Sequence, residues 1–210
     1  MVKKKKQNMI PAGVFSEWLR RIRKTFRTEE GIEVDCGACT ACCSSSYFIR
    51  IWPDESEALA RINKKLLVPA PGLPKGQVLM GYDKQGRCPM LKDGKCSIFE
   101  YRPRTCRKYD CRIFPAAGLT KSDNNCPKID KQLRLWKFDY PTKRDKDEHK
   151  AVIAAAKFIK NHPEIFPAGK VPNTSGQLAI LALKVYKVFL SKKKFPPPET
   201  AKAIVKELEK

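Results

Sequence analysis

No apolar stretch in the 210 residues approaches the span of about 20 that a bilayer requires, and the longest, LAILAL at residues 178–183, is only a fraction of it. No membrane span is expected. The N-terminus, MVKKKKQNMIPAGVFSEWLRRIRK, has the positive start of a secretory leader but not its apolar core. It runs directly into Glu17, Arg20 and Arg21, with no small-residue cleavage site behind it. The expectation is a soluble, cytoplasmic protein. Acidic residues are scarce, 22 against 43 Lys and Arg, and the formal charge is +21. That surplus favours polyanions. The short lysine tracts at residues 3–6 and 192–194, however, lack the interleaved aromatics of a base-stacking platform. Weak association with nucleic acid or an acidic protein through a basic surface is the most that charge alone implies. Histidine is nearly absent. His149, in DKDEHK, reads as a solvated helix position and His162, in KNHPEI, as a helix end, so neither is expected to bind metal. There is no internal repeat and no Gly-rich nucleotide fingerprint.

Cysteine, in contrast, is concentrated. All nine thiols fall between residues 36 and 126, four of them in CGACTACC. In a reducing compartment such density marks metal binding more often than disulfides, and an odd total cannot pair completely. Cys36, Cys39 and Cys42 follow the C-x2-C-x2-C spacing that wraps three corners of a four-iron cluster, and zinc can use the same spacing through two of them. Gly37 eases such a loop. In extended backbone Cys42 and Cys43 would point to opposite sides, so sharing one ion requires a tight turn between them. Cys88, Cys96, Cys106 and Cys111 supply a second set of four. Eight thiolates suffice for two zinc ions, two four-iron clusters or one of each; Cys126 reads equally well as ligand or bystander. Such sites are anionic, and residues 84–112 carry nine Lys or Arg against three acids. Arg102, Arg104, Arg107 and Arg112 are candidate donors to sulfur.

Local patterns place these residues. Phe15, Trp18, Leu19, Ile22 and Phe26 predict an amphipathic helix over residues 11–27. YFIRIW predicts a strand at 47–52, Pro53 ends it, and an acidic cap opens a helix from Asp54. Residues 67–76 read as a loop, QVLMGY as a strand, and CPMLKDGKCSIF as a hairpin turning on Asp93-Gly94 that brings Cys88 towards Cys96. Helices are expected near 128–138, 145–160, 176–191 and 198–209. The third should present Leu178, Leu181, Ala182, Val185 and Phe189 on one face, and FPPPET should break the chain before the last.

With these motifs in hand, CGACTACC followed by CPMLKDGKCSIFEYRPRTCRKYDC resembles the CxxCxxCC family, a zinc- or iron-chelating domain also called the YkgJ-type cysteine-cluster family. The matching parts are Cys36, Cys39, Cys42 and Cys43, then Cys88-Pro89, Cys96, Tyr101-Arg102-Pro103, Cys106-Arg107 and Cys111. The resemblance spans about residues 33–115 and implies metal held by eight cysteines, with zinc or iron, including an iron-sulfur cluster, as cofactor. A relative, the flagellin lysine N-methylase, uses S-adenosylmethionine, but this chain is much shorter and shows no recognisable loop for it. Three functions follow as expectations: a cytosolic metal-binding protein with a structural or redox role, a methyltransferase relative with an auxiliary cluster, or a basic nucleic-acid-binding module with structural zinc. The expected fold is α+β: a small cysteine-rich metal-binding core with short strands, flanked by an N-terminal helix and a C-terminal helical region. The expected division is a basic tail and helix at 1–30, a cysteine-cluster domain at 31–127 and a helical region at 128–210.

Overall fold

Why does the predicted first helix start late? Pro11 has no N–H to donate and Gly13 sits at φ +89°, so the chain before Phe15 cannot be helical. In the computed structural model it forms β1 (Ile10–Val14), and α1 (Phe15–Thr25) follows. The structure describes residues 9–28, 30–32, 34, 38–123, 126–166, 171–191 and 196–208; the two lysine tracts, Cys36 and Gly37 lie outside them. The remaining elements are β2 (Ile49–Ile51), α2 (Ser56–Arg61), β3 (Leu67–Pro69), β4 (Val78–Met80), β5 (Leu91–Lys92), β6 (Lys95–Cys96), α3 (Arg104–Lys108), α4 (Ile113–Ala116), α5 (Pro127–Leu133), β7 (Trp136–Asp139), α6 (Lys143–Asn161), α7 (Ser175–Val185) and α8 (Pro197–Leu208). The fold class is α+β, with short strands in small sheets. The chain forms two compact units, a helical unit of Met1–Arg23 with Cys111–Lys210 and a cysteine unit of Lys24–Asp110.

In the helical unit β1 pairs with β7 in parallel, Ile10 opposite Trp136 and Val14 opposite Asp139, with an irregularity between Pro11 and Gly13. β7 alternates: Trp136 and Phe138 are buried while Lys137 and Asp139 are exposed. This period of two overrides the helix expected to continue to residue 138, which stops at Leu133. The buried face of α1 contains Phe15, Trp18, Leu19 and Ile22, each large side chain contributing about 1.5–3 kcal/mol by leaving water. Phe15 and Trp18 meet Phe138 at ring distances of 5.0 and 4.9 Å. α6 begins with a full capping box between Thr142 and Asp145. α7 is capped by Thr174 and buries Ala179, Ala182, Leu183 and Val185; Leu178, Leu181 and Phe189 of the expected face are only half-buried. The helix tightens into a 3-10 turn at Tyr186–Phe189.

His149 corrects the sequence reading. Rather than standing in solvent, its ring stacks on Phe15 at 4.3 Å and on Tyr140 at 5.6 Å, and the Tyr140 hydroxyl lies 2.7 Å from its Nδ1. Burial holds its pKa below the usual histidine value. His162 caps the end of α6, as its position suggested.

The cysteine unit is built on a three-stranded antiparallel sheet in the order β2-β4-β3. Leu67–Pro69, expected as loop, forms its third strand by pairing with Val78–Met80. Ile51, Ile62, Met80, Met90 and Ile98 make the core, against which Cys88 and Cys96 pack. β5 and β6 form the expected hairpin, with Asp93 at φ +48° and Gly94 at +74°, the positive pair a two-residue turn needs. The acidic residue before α2 has another use than capping. The Glu55 carboxylate, 8% exposed, accepts hydrogen bonds from the amides of Trp52 and Arg104, and the Arg107 guanidinium lies 3.8 Å away. It thus ties the end of β2 to α3, which carries Cys106. Glu55→Ala strands two amide donors, so chemical denaturation should show a loss of about 2–4 kcal/mol; a loss near zero would mean water replaces the carboxylate.

Candidate metal centre

Four segments of the cysteine unit carry thiols to one neighbourhood. The chain at Ala41 enters a 3-10 turn, Cys42–Ser44. This is the tight turn that adjacent cysteines need in order to face a common region, since successive side chains there diverge by about 120° rather than 180°. The Ser45 hydroxyl closes the turn by donating to the Ala41 carbonyl at 2.5 Å. The turn is then fastened to the segment before β5: the Cys88 amide donates to the Cys43 carbonyl at 2.7 Å and the Ser46 amide to the Gly86 carbonyl at 3.0 Å. Gly86 is required for this approach. It sits at φ +73°, and a Cβ there would come within 2.3 Å of the Ser46 hydroxyl oxygen. The β5–β6 hairpin pairs Leu91 with Cys96 and thereby turns Cys96 back over Cys88. Cys106 arrives on α3, whose start is held by Glu55 and whose Thr105 hydroxyl donates to the Arg50 carbonyl at 2.6 Å.

The thiols feel one another. Burial pushes the Cys106 thiol up to about 12, reinforced by Cys88, Cys42 and Cys96 and opposed by Arg102. Burial also raises Cys88, with Cys96 and Cys42 adding to it, and raises Cys39, against a weak hydrogen bond from the Ala41 amide at 3.5 Å. Cys42 and Cys43 share a hydrogen bond that holds Cys42 below the ordinary thiol value and drives Cys43 upward, helped by burial and by Cys88 and Cys106. Six of the expected ligands, Cys39, Cys42, Cys43, Cys88, Cys96 and Cys106, are therefore within electrostatic reach. Such a group cannot ionise together without a cation to balance it. The donor chemistry fits a thiophilic ion. Among the described residues, no three Cys, His, Asp or Glu side chains already stand at chelating geometry, and none of the eight described cysteines is in a disulfide.

Cys36 is outside the described residues. Cys111 and Cys126 belong to the helical unit, where both are buried. The Cys111 sulfur accepts a hydrogen bond from the Trp136 indole at 3.1 Å, and Cys126 stands at the N-cap of α5.

The four candidate arginines separate by role. Arg102 acts through its charge on the Cys106 thiol. Arg104 pairs with Asp54 at 2.6 Å and Arg107 with Glu55. Arg112 donates to the Ala12 carbonyl and lies over Trp18 and Trp136. Only contact geometry distinguishes them, since all four share a basic segment in the sequence. Gly86 ends DKQG, which reads as a turn in the sequence, whereas Ser46, its partner in seating the turn against Cys88, carries no motif that reading the chain would single out.

Residues 35–127 match the family model CxxCxxCC, "Putative zinc- or iron-chelating domain", a span that contains all nine cysteines. No curated protein and no solved structure matches the chain.

Proposed function

We propose that residues 31–127 form a cytosolic centre that holds zinc or iron through the thiolates of Cys36, Cys39, Cys42, Cys43, Cys88, Cys96, Cys106 and Cys111, with a structural or redox role. The observation that carries the proposal is the gathering of six thiols from the turn, the hairpin and α3 into one electrostatically coupled group. The match to a zinc- or iron-chelating domain over the same residues supports it. Cys36 and Cys111 enter through the sequence pattern alone. When bound, zinc would cross-link the unit, and iron with sulfide would add one-electron chemistry. The protein residues have separate tasks. The Cys42–Ser44 turn presents adjacent sulfurs to one region. Glu55 positions the helix bearing Cys106, and Arg102 offsets negative charge beside it. A metal bridging thiols from the turn, the hairpin and α3 would couple metal affinity to the stability of this unit.

The test is anaerobic purification with zinc, iron and acid-labile sulfide measured per chain alongside an optical spectrum. Stoichiometric iron and sulfide with broad visible absorption would identify a cluster, and colourless protein with stoichiometric zinc a structural centre. Protein without either metal, and unable to take one up under reducing conditions, would overturn the proposal.

A further inference from the structure

The basic tracts near the chain ends lack aromatics, but the cysteine unit does not. In the 3-10 turn Phe99–Tyr101, two rings that a folded core would normally cover stand in solvent, Phe99 53% and Tyr101 42% exposed. Each carries a guanidinium on one face: Arg102 lies 3.9 Å from the Phe99 centroid and Arg61, from the end of α2, 3.4 Å from that of Tyr101. Arg102 is fixed there by donating to the Phe99 carbonyl at 2.7 Å. Acids are present but few. Glu57 pairs with Arg61, and Glu100 lies between the two rings in sequence. Over residues 84–112 the balance stays nine basic to three acidic.

Exposed rings backed by guanidinium planes, on a basic segment of a chain with net charge +21, present the two elements of single-stranded nucleic-acid recognition. The rings and guanidiniums offer flat surfaces on which bases stack, and the cations follow the phosphates. A duplex would use only the charge, because its bases are already stacked. We propose that the Phe99–Tyr101 turn, with Arg61 and Arg102, is a stacking surface for single-stranded nucleic acid. Arg102 is shared with the neighbourhood of Cys106, but the two rings are not metal ligands, so stacking on them does not depend on which metal the thiols hold.

The experiment uses the full chain and a labelled single-stranded oligouridylate of about 12 nucleotides, within the site sizes common for such surfaces, followed by fluorescence anisotropy from about 50 to 200 mM salt. The expected result is binding that weakens linearly on a log–log salt plot. At fixed salt, Phe99→Ala with Tyr101→Ala should lower affinity about tenfold or more, as loss of base stacking does. Metal content and circular dichroism of the double variant establish that the fold is retained. As an independent readout, Phe99→Trp should bind like the parent and show indole quenching on addition of the oligonucleotide. The inference is overturned by undiminished affinity in the folded double-alanine variant, by equal affinity for a duplex of the same length, by no quenching of Phe99→Trp, or by binding to anionic vesicles with none to the oligonucleotide. None of these outcomes bears on metal content, so the two proposals fail separately.

Discussion

Cys106→Ser is expected to deprive the cysteine unit of its metal and of the stability that metal confers. Burial raises the Cys106 thiol and Cys88, Cys42 and Cys96 all act on it, so its loss removes a donor that joins the turn to the hairpin. Serine keeps the volume close and leaves a hydroxyl that is a poor ligand for zinc or iron beside thiolates. Metal per chain should fall to less than half the parent value by elemental analysis. The metal-linked stabilisation, on the order of 10 kcal/mol for a structural zinc, should fall with it, appearing as a large drop in thermal midpoint. With metal removed by a chelator, parent and variant should differ by no more than about 1 kcal/mol, because a small substitution without a ligand role costs little. A variant with full metal content, or a parent protein whose melting a chelator leaves unchanged, would count against the thiolate centre.

The second large effect belongs to Asp145. Its side chain is 1% exposed. One carboxylate oxygen accepts from the Ser16 amide at 3.0 Å, and the other accepts from the Thr142 amide at 2.9 Å and from the Thr142 hydroxyl. It therefore caps α6 and secures the first turn of α1, two helices whose sequence positions are more than a hundred residues apart. Asp145→Ala leaves buried donors without an acceptor and removes the cap, at a cost of about 3–5 kcal/mol. For a chain of this length that is a fall of roughly 6–20 °C in melting temperature.

The same contacts fix a pH dependence. Hydrogen bonds from Ser16 and Thr142 hold the carboxyl well below the usual carboxylate range. A group whose folded pKa is depressed stabilises fully above its unfolded value, about 3.9, and the contribution disappears as pH falls towards the folded pKa. Denaturation curves at pH 7, 5, 4 and 3 should show stability declining below about pH 4. Asp145→Asn should be flatter over that interval. Parallel slopes for the two proteins would show that Asp145 is not responsible.

Much of the cysteine unit is legible in the amino-acid sequence, because its signals are local. Asp93-Gly94 encodes a turn by backbone sterics alone, and the hairpin, with Cys88 and Cys96 on it, follows. The spacing of CGACTACC likewise places several thiols within a few residues. The pairing of β1 with β7 is hidden. Ile10–Val14 is too short to declare itself, and its partner stands more than 120 residues later, so no local periodicity can reveal it. His149 illustrates the same limit. Its neighbours DKDEHK are all polar, which reads as a solvated helix, yet the rings of Phe15 and Tyr140 cover it from elsewhere in the chain.

The order of residues alone specifies the chemistry on offer: which donors are present, that they are soft, and that they concentrate in one segment. Side-chain identity is written residue by residue, and a thiol binds metal through its own electronic properties. Folding selects which of those thiols share a neighbourhood, brings the charge of Arg102 to Cys106, and sets Glu55 to hold the helix that carries Cys106. Those relations depend on distances between atoms brought together from distant positions, and such distances exist only once the chain has folded.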